Sequence, residues 1–162
     1  MMKSKKRSSQ LTGVAGVHYV ASYLNYLGFH AVPTTRNVPG PDLLVSNLKG
    51  SSSISLQVKT TIWAMRTRGR GDSKKPHHHE WDIGWSSAKL NYPGLFFALV
   101  DLQGFQNLPE VFIVPSRVIF RYFKGGDPET WLRARYHPLV PDISQYKNNW
   151  KLITSALRIT RR

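Results

Sequence analysis

Hydrophobic and polar positions alternate most regularly along Ile54, Ser55, Leu56, Gln57, Val58 and Lys59. A period of two marks a half-buried strand, with Ile54, Leu56 and Val58 on one face and Ser55, Gln57 and Lys59 on the other. Pro41, Asp42, Leu43, Leu44 and Val45 read as the strand before it, and Gly50 with the three serines that follow reads as the turn between them. Paired as an antiparallel hairpin, the two strands bring Asp42 near the end of the second, where Lys59 sits. A carboxylate, an amide and an ammonium then lie side by side.

The remaining pattern predicts a helix over residues 12–27, opened by Thr12 as N-cap and closed by Gly28. Val14, Val17, Ala21 and Leu24 form its apolar face, and His18 lies on or beside that face. Gly13 and Gly16 lower the helix propensity but permit close packing. Residues 29–35 read as a strand, followed by turn chemistry at Pro39 and Gly40. The strand of Lys59 is expected to run on to Ile62 or Met65, and residues 66–76 to form a basic loop. Residues 80–85 alternate like a short strand. The unbroken apolar run 95–102 is a central strand covered on both faces, and residues 111–114 are the next strand. A helix is expected from Ser116 to Phe123 and a short one over 129–133. Residues 142–157 read either as one amphipathic helix or as a short helix and a strand. This order predicts an α/β fold: a mixed central sheet of about five strands flanked by helices.

Length and charge change the picture in two ways. A chain of 162 residues suits one domain, expected over residues 12–162 behind a basic, disordered arm at 1–11. A core of that size needs no disulfide or metal to hold it. There is no cysteine, so no thiolate-held metal site exists, and a reducing, cytoplasmic setting is expected. The net charge of +14 predicts a polyanionic partner, nucleic acid before an anionic membrane. The sequence holds no long apolar run, so no membrane partner is expected, and the first residues lack the apolar stretch of a secretory signal. The arm can lie along phosphates; a solubilising tail reads equally well.

Arg66, Arg68, Arg70, Lys74 and Lys75 crowd one loop with Asp72 as the sole acid. Such a loop suits a phosphate backbone, giving affinity without sequence information; Arg36 is a further candidate for a phosphate contact. The run of His77, His78 and His79 is not read as a metal centre, because three adjacent side chains cannot face one point and no partner ligand stands at zinc-like spacing. Trp63, Trp81 and Trp85 read as core or rim aromatics rather than base-stacking platforms.

With Pro41 and Asp42 on one strand and the motif Gln57-Val58-Lys59 on the next, in this order of elements, the chain resembles the PD-(D/E)XK nuclease superfamily (restriction-endonuclease-like), in a Gln-x-Lys variant. The first helix with Arg36 and Asn37, the stretch Asn91-Tyr92-Pro93 leading into the apolar run, and Phe112-Ile113-Val114-Pro115-Ser116 resemble small uncharacterised bacterial proteins of that superfamily; the likeness spans about residues 12–124. The resemblance implies a metal-dependent DNA endonuclease acting in repair, recombination or defence, with Mg2+ or Mn2+ as cofactor. Asp42 would be the principal metal ligand, joined by Gln57 and the backbone carbonyl of Val58, and Lys59 would stabilise the phosphorane or orient the attacking water. His18 stands where many relatives carry a glutamate, and Gln57 where most carry an acid; Asp101 is a reserve carboxylate. Relatives are often dimers, so a homodimer is implied. The competing expectations are a catalytically inactive nuclease fold that binds DNA or RNA and, more weakly, a basic adaptor for a protein or an anionic membrane.

Overall fold

The computed structural model describes residues 8–35 and 40–158. The elements are α1 (Ser9–Tyr26), β1 (His30–Pro33), β2 (Leu43–Ser46), β3 (Ser53–Thr61), β4 (Met65–Arg68), β5 (Lys75–His79) and β6 (Trp81–Asp82). They continue with α2 (Trp85–Ala88), β7 (Leu95–Asp101), β8 (Glu110–Pro115), α3 (Ser116–Phe123), β9 (Arg135–Tyr136), α4 (Val140–Ser144) and α5 (Lys151–Ala156). The main sheet has five strands in the order β1-β2-β3-β7-β8. It is mixed: β3 and β7 run parallel, and the other neighbours pair antiparallel. The expected α/β architecture is therefore present. No described helix is long and apolar enough to cross a membrane.

Each face of the sheet carries its own core. Val20, Ala21 and Leu24 of α1 and Trp150 and Ile153 near the C-terminus cover Leu56, Val58, Ala98, Val100 and Ile113 on one side. On the other, Trp81, Ile83, Ile119, Phe123 and Ile143 cover Phe97, Leu99, Phe112 and Val114. Burial on both sides explains why β7 and β8 read as unbroken apolar runs. It also fixes the register of β3, where Gln57 lies opposite Phe97 and Lys59 opposite Leu99. A slip of one residue would turn both polar side chains into the α1 core.

The first helix opens three residues before Thr12, so Ser9, Gln10 and Leu11, assigned above to the arm, belong to it. Ser8 is the extended N-cap, and Thr12 closes the first turn onto it through both its N–H and its Oγ1. The rest of the arm, residues 1–7, lies outside the described residues, as does Arg36. At the C-terminal end Gly28, at φ 88°, donates to Asn25 O while Phe29 N donates to Leu24 O. That pair of bonds satisfies the last helical carbonyls through a left-handed residue. Asn25 then binds both the N–H and the carbonyl of Ala31, fastening α1 to β1. Midway along the helix, a Cβ on Gly16 would stand 1.9 Å from Thr60 Oγ1, so glycine is what lets α1 lie directly on β3.

Four expectations need correction. β3 ends at Thr61, and Met65 opens a separate strand. The basic "loop" is a two-stranded ribbon of β4 and β5 with a register shift at Arg66 and Thr67. It is anchored by buried His79 and closed by a tight turn in which Ser73 Oγ donates to Arg70 O; the dense basic residues hid its alternation. Residues 129–133 form no helix. Asp127 accepts from Glu129 N and Thr130 Oγ1, ending in one isolated turn. The C-terminal stretch is two short helices, α4 and α5, broken at Asn148, which has φ 49°.

Candidate functional site

Asp42 stands immediately before β2 and in register opposite Gln57, since Leu43 pairs with Leu56. Its own N–H continues the ladder to Leu56 O at 2.9 Å. Beyond that point β2 has no further strand backbone to offer, and the Asp42 side chain takes over: Oδ2 accepts the N–H of Val58 at 2.7 Å. The same oxygen accepts Gln57 Nε2 in a short hydrogen bond. Thr34 braces the turn from behind, with its N–H on Asp42 O at 3.0 Å and its Oγ1 on Pro41 O at 2.6 Å. The carboxylate is thus held by a backbone and a side-chain donor.

Gln57 is 7% exposed, so its amide needs partners, and Asp42 is one. Lys59, two residues on, shares its face. Burial pushes the Lys59 ammonium below the ordinary lysine value of 10.5, while Asp42 and then Asp82 pull it back up. Asp82 was not singled out from the sequence; only the pairing of β6 with β9 brings it to this side of β3. It also meets Arg133 at 3.7 Å. Of the carboxylate, amide and ammonium expected to converge, Asp42 and Gln57 are hydrogen-bonded, and Lys59 lies on the same face of β3 within the influence of the Asp42 charge.

His18 lines a cleft of about 590 Å3 between α1 and the start of β2, together with Gln10, Gly13, Thr34, Thr35, Asp42 and Val58. His18 is exposed, so it faces the cleft rather than the core. Gln10, Thr34 and Thr35 line the cleft although no sequence signal marks them. Asp101 takes the ordinary role for its position: it is buried at the end of β7, and its Oδ1 accepts Gln103 N at 3.0 Å in the following turn.

A hard cation takes oxygen ligands, and Asp42, with the carbonyl of Val58 and the Gln57 amide oxygen, could supply them with one carboxylate. Gln57 presents Nε2 to Asp42, so the amide must rotate before Oε1 can ligate. Among the described residues no group of three or more His, Cys, Asp or Glu side chains could hold a metal. In the histidine run, His79 is buried against Trp81, and His78 meets His77 and His137 edge-on.

On the ribbon, Arg68, Arg70, Lys74 and Lys75 are exposed, whereas Arg66 is tied back to Trp63 O at 2.7 Å and to Glu80 at 3.7 Å. Trp81 is core and donates to Val100 O; Trp63 is rim, packed over Gly104.

No protein-family model matches the chain, and no curated protein sequence matches it. Among solved structures, that of a bacterial homing endonuclease, I-Ssp6803I, is similar over 91% of this chain and 92% of that one, with a TM-score of 0.57 and 13% sequence identity. At that identity the likeness shows a shared fold.

Proposed function

We propose that the chain is a divalent-cation-dependent DNA endonuclease of the PD-(D/E)XK type, in which glutamine stands in the place of the second acid. The observation that carries this reading is the hydrogen bond of Gln57 to Asp42 across two adjacent strands, with Lys59 on the Gln57 face of β3 and under the influence of the Asp42 charge; Asp42 itself also borders the cleft. The fold shared with a homing endonuclease supports it. Asp42, Val58 O and, after rotation, Gln57 Oε1 would hold Mg2+ or Mn2+, which when bound supplies polarisation of the scissile phosphate and an acidified water.

The chain's own residues do the rest. Val58 N–H and Gln57 aim the Asp42 carboxylate. Lys59 sets a positive charge in a partly desolvated place, where charge on the phosphorane is stabilised more than in water. His18, from the opposite wall of the cleft, can take or return a proton at the attacking or leaving oxygen. Arg68, Arg70, Lys74 and Lys75 hold the DNA backbone, and a homodimer would bring two such centres to the two strands.

A second reading is a nuclease fold that binds nucleic acid without cutting it. Its support is that Asp42 Oδ2 already accepts two donors and Gln57 brings no charge. Labelled linear, nicked, branched and single-stranded DNA, offered with Mg2+ and separately with Mn2+, distinguishes the two. The nuclease reading expects cleavage of at least one form, lost on Lys59→Ala with binding retained; the preferred form would point to repair, recombination or defence. Salt-sensitive binding with no cleavage of any form would favour the second reading.

A further inference from the structure

A second concave surface lies away from the cleft of Asp42. It is a groove of about 480 Å3 lined by Tyr122, Trp131, Leu132, Arg133, Arg135 and His137. Its aromatic wall is held from behind. Trp85 Nε1 donates to Trp131 O at 3.0 Å, and the two indoles lie 6.1 Å apart. Tyr122 stands edge-on to buried Tyr136 at 4.7 Å and accepts His137 N on its hydroxyl. Yet Trp131 is 45% exposed, Tyr122 42% and Leu132 93%. Large rings fixed in place while open to solvent are arranged to receive a flat apolar partner.

The rim of the groove is cationic. Arg133 and Arg135 are both exposed, and their ion pairs with Asp82 at 3.7 Å and Glu80 at 3.5 Å are long. The Arg133–Asp82 pair, exposed on both sides, contributes little, whereas Arg135 shares the half-buried Glu80 with Arg66 and His137. The groove is tied to the main sheet's neighbourhood through β9, which carries Arg135 and pairs with β6. A second copy of the chain suits this surface poorly, because it would bring a second net charge of +14 to a rim that already carries two arginines.

We propose that this groove binds an unpaired nucleobase and its phosphate, stacked on Trp131 and clasped by Arg133 and Arg135. Its ligand is then a single-stranded stretch of nucleic acid. The proposal takes from the nuclease reading only that the partner is nucleic acid. Arginine beside aromatic faces is the combination that single-strand binding uses, because every base offers a face for stacking whatever its identity.

The test is binding, read by fluorescence anisotropy with chelator present, so that cleavage plays no part and its failure leaves the nuclease reading standing. Full-length wild type, Trp131→Ala and Trp131→Phe are titrated into labelled oligothymidine and into a duplex of equal length. The expected result is a roughly 5- to 100-fold loss of oligothymidine affinity in the alanine variant, little change on the duplex, and recovery with phenylalanine. Arg133→Gln, an exposed change that leaves the fold alone, is expected to lower the salt slope for oligothymidine by about 0.7. Unchanged oligothymidine binding in both alanine and glutamine variants would overturn the proposal. So would an equal loss on duplex and single strand, or a Trp131→Ala effect confined to splitting a dimer.

Discussion

Replacing Gln57 with glutamate tests whether its amide serves as a brace or only as a weak ligand. The buried Gln57 donates to Asp42; a glutamate there would face the carboxylate with a second negative charge. We predict that Gln57→Glu lowers stability at neutral pH by about 1–3 kcal/mol, the cost of a lost buried hydrogen bond. The penalty should be small in acid, where a protonated glutamate can still donate. It should grow as pH rises through the glutamate range, because two close carboxylates raise one pKa and the folded state then holds a proton that the unfolded chain releases. Thermal melts against pH, with and without Mg2+, check both parts; the divalent cation should restore more stability to the variant than to wild type. Lys59 behaves oppositely. Its ammonium sits below its ordinary value because of burial, which Asp42 and Asp82 only partly offset. Between its folded pKa and 10.5 the unfolded chain binds the extra proton, so Lys59 weakens the fold most below that window and not at all above it. Lys59→Met should therefore stabilise the protein by about 1 kcal/mol at neutral pH, with the gain fading toward alkaline pH, while abolishing cleavage. Denaturant melts at several pH values would measure the gain; a loss of stability at neutral pH would contradict the balance drawn here.

At the scale of elements, the placement of the site depends on how closely α1 lies on β3. Gly16 meets Thr60 with no room for a methyl group, and Thr60 Oγ1 is buried without a hydrogen-bond partner. We predict that Gly16→Ala destabilises by about 1–3 kcal/mol through overpacking. The double variant with Thr60→Ala should recover much of that loss, a non-additive result expected only of residues in contact. The β2–β3 hairpin, α3 and the central apolar strands were legible in the sequence because each carries a single strong signal: period-two alternation, a Pro-Ser start, or an unbroken apolar run. So was the placing of Gln57 beside Asp42 with Lys59 on the same face, which follows from pairing two neighbouring strands. The ribbon was not legible, because its outward residues are nearly all basic and its inward anchor is a histidine. Nor were Asp82 and Trp131: their positions come from pairing between strands far apart in the chain and from an isolated turn at Asp127, which local patterning does not reveal.

For the molecule as a whole, charge sets how it meets its partner. If Arg68, Arg70, Lys74 and Lys75 each neutralise a phosphate, replacing one with glutamine should reduce the slope of log K against log salt on duplex DNA by about 0.9, and replacing two by about twice that. Titrations at several salt concentrations measure the slope, and one unmoved by ribbon substitutions would take the ribbon out of the interface. Affinity and chemistry can then be separated, since the ribbon is a sheet of its own and Asp42 belongs to the main sheet's edge of the cleft. The most direct test of the central claim is the single-turnover cleavage rate of Asp42→Asn beside wild type, on DNA bound to saturation, with Mg2+ and then Mn2+. A nuclease centred on this one carboxylate predicts cleavage by wild type and a fall of about 1,000-fold or more in the variant, some 4 kcal/mol of transition-state stabilisation, with DNA still bound. Equal rates in the two proteins would contradict it.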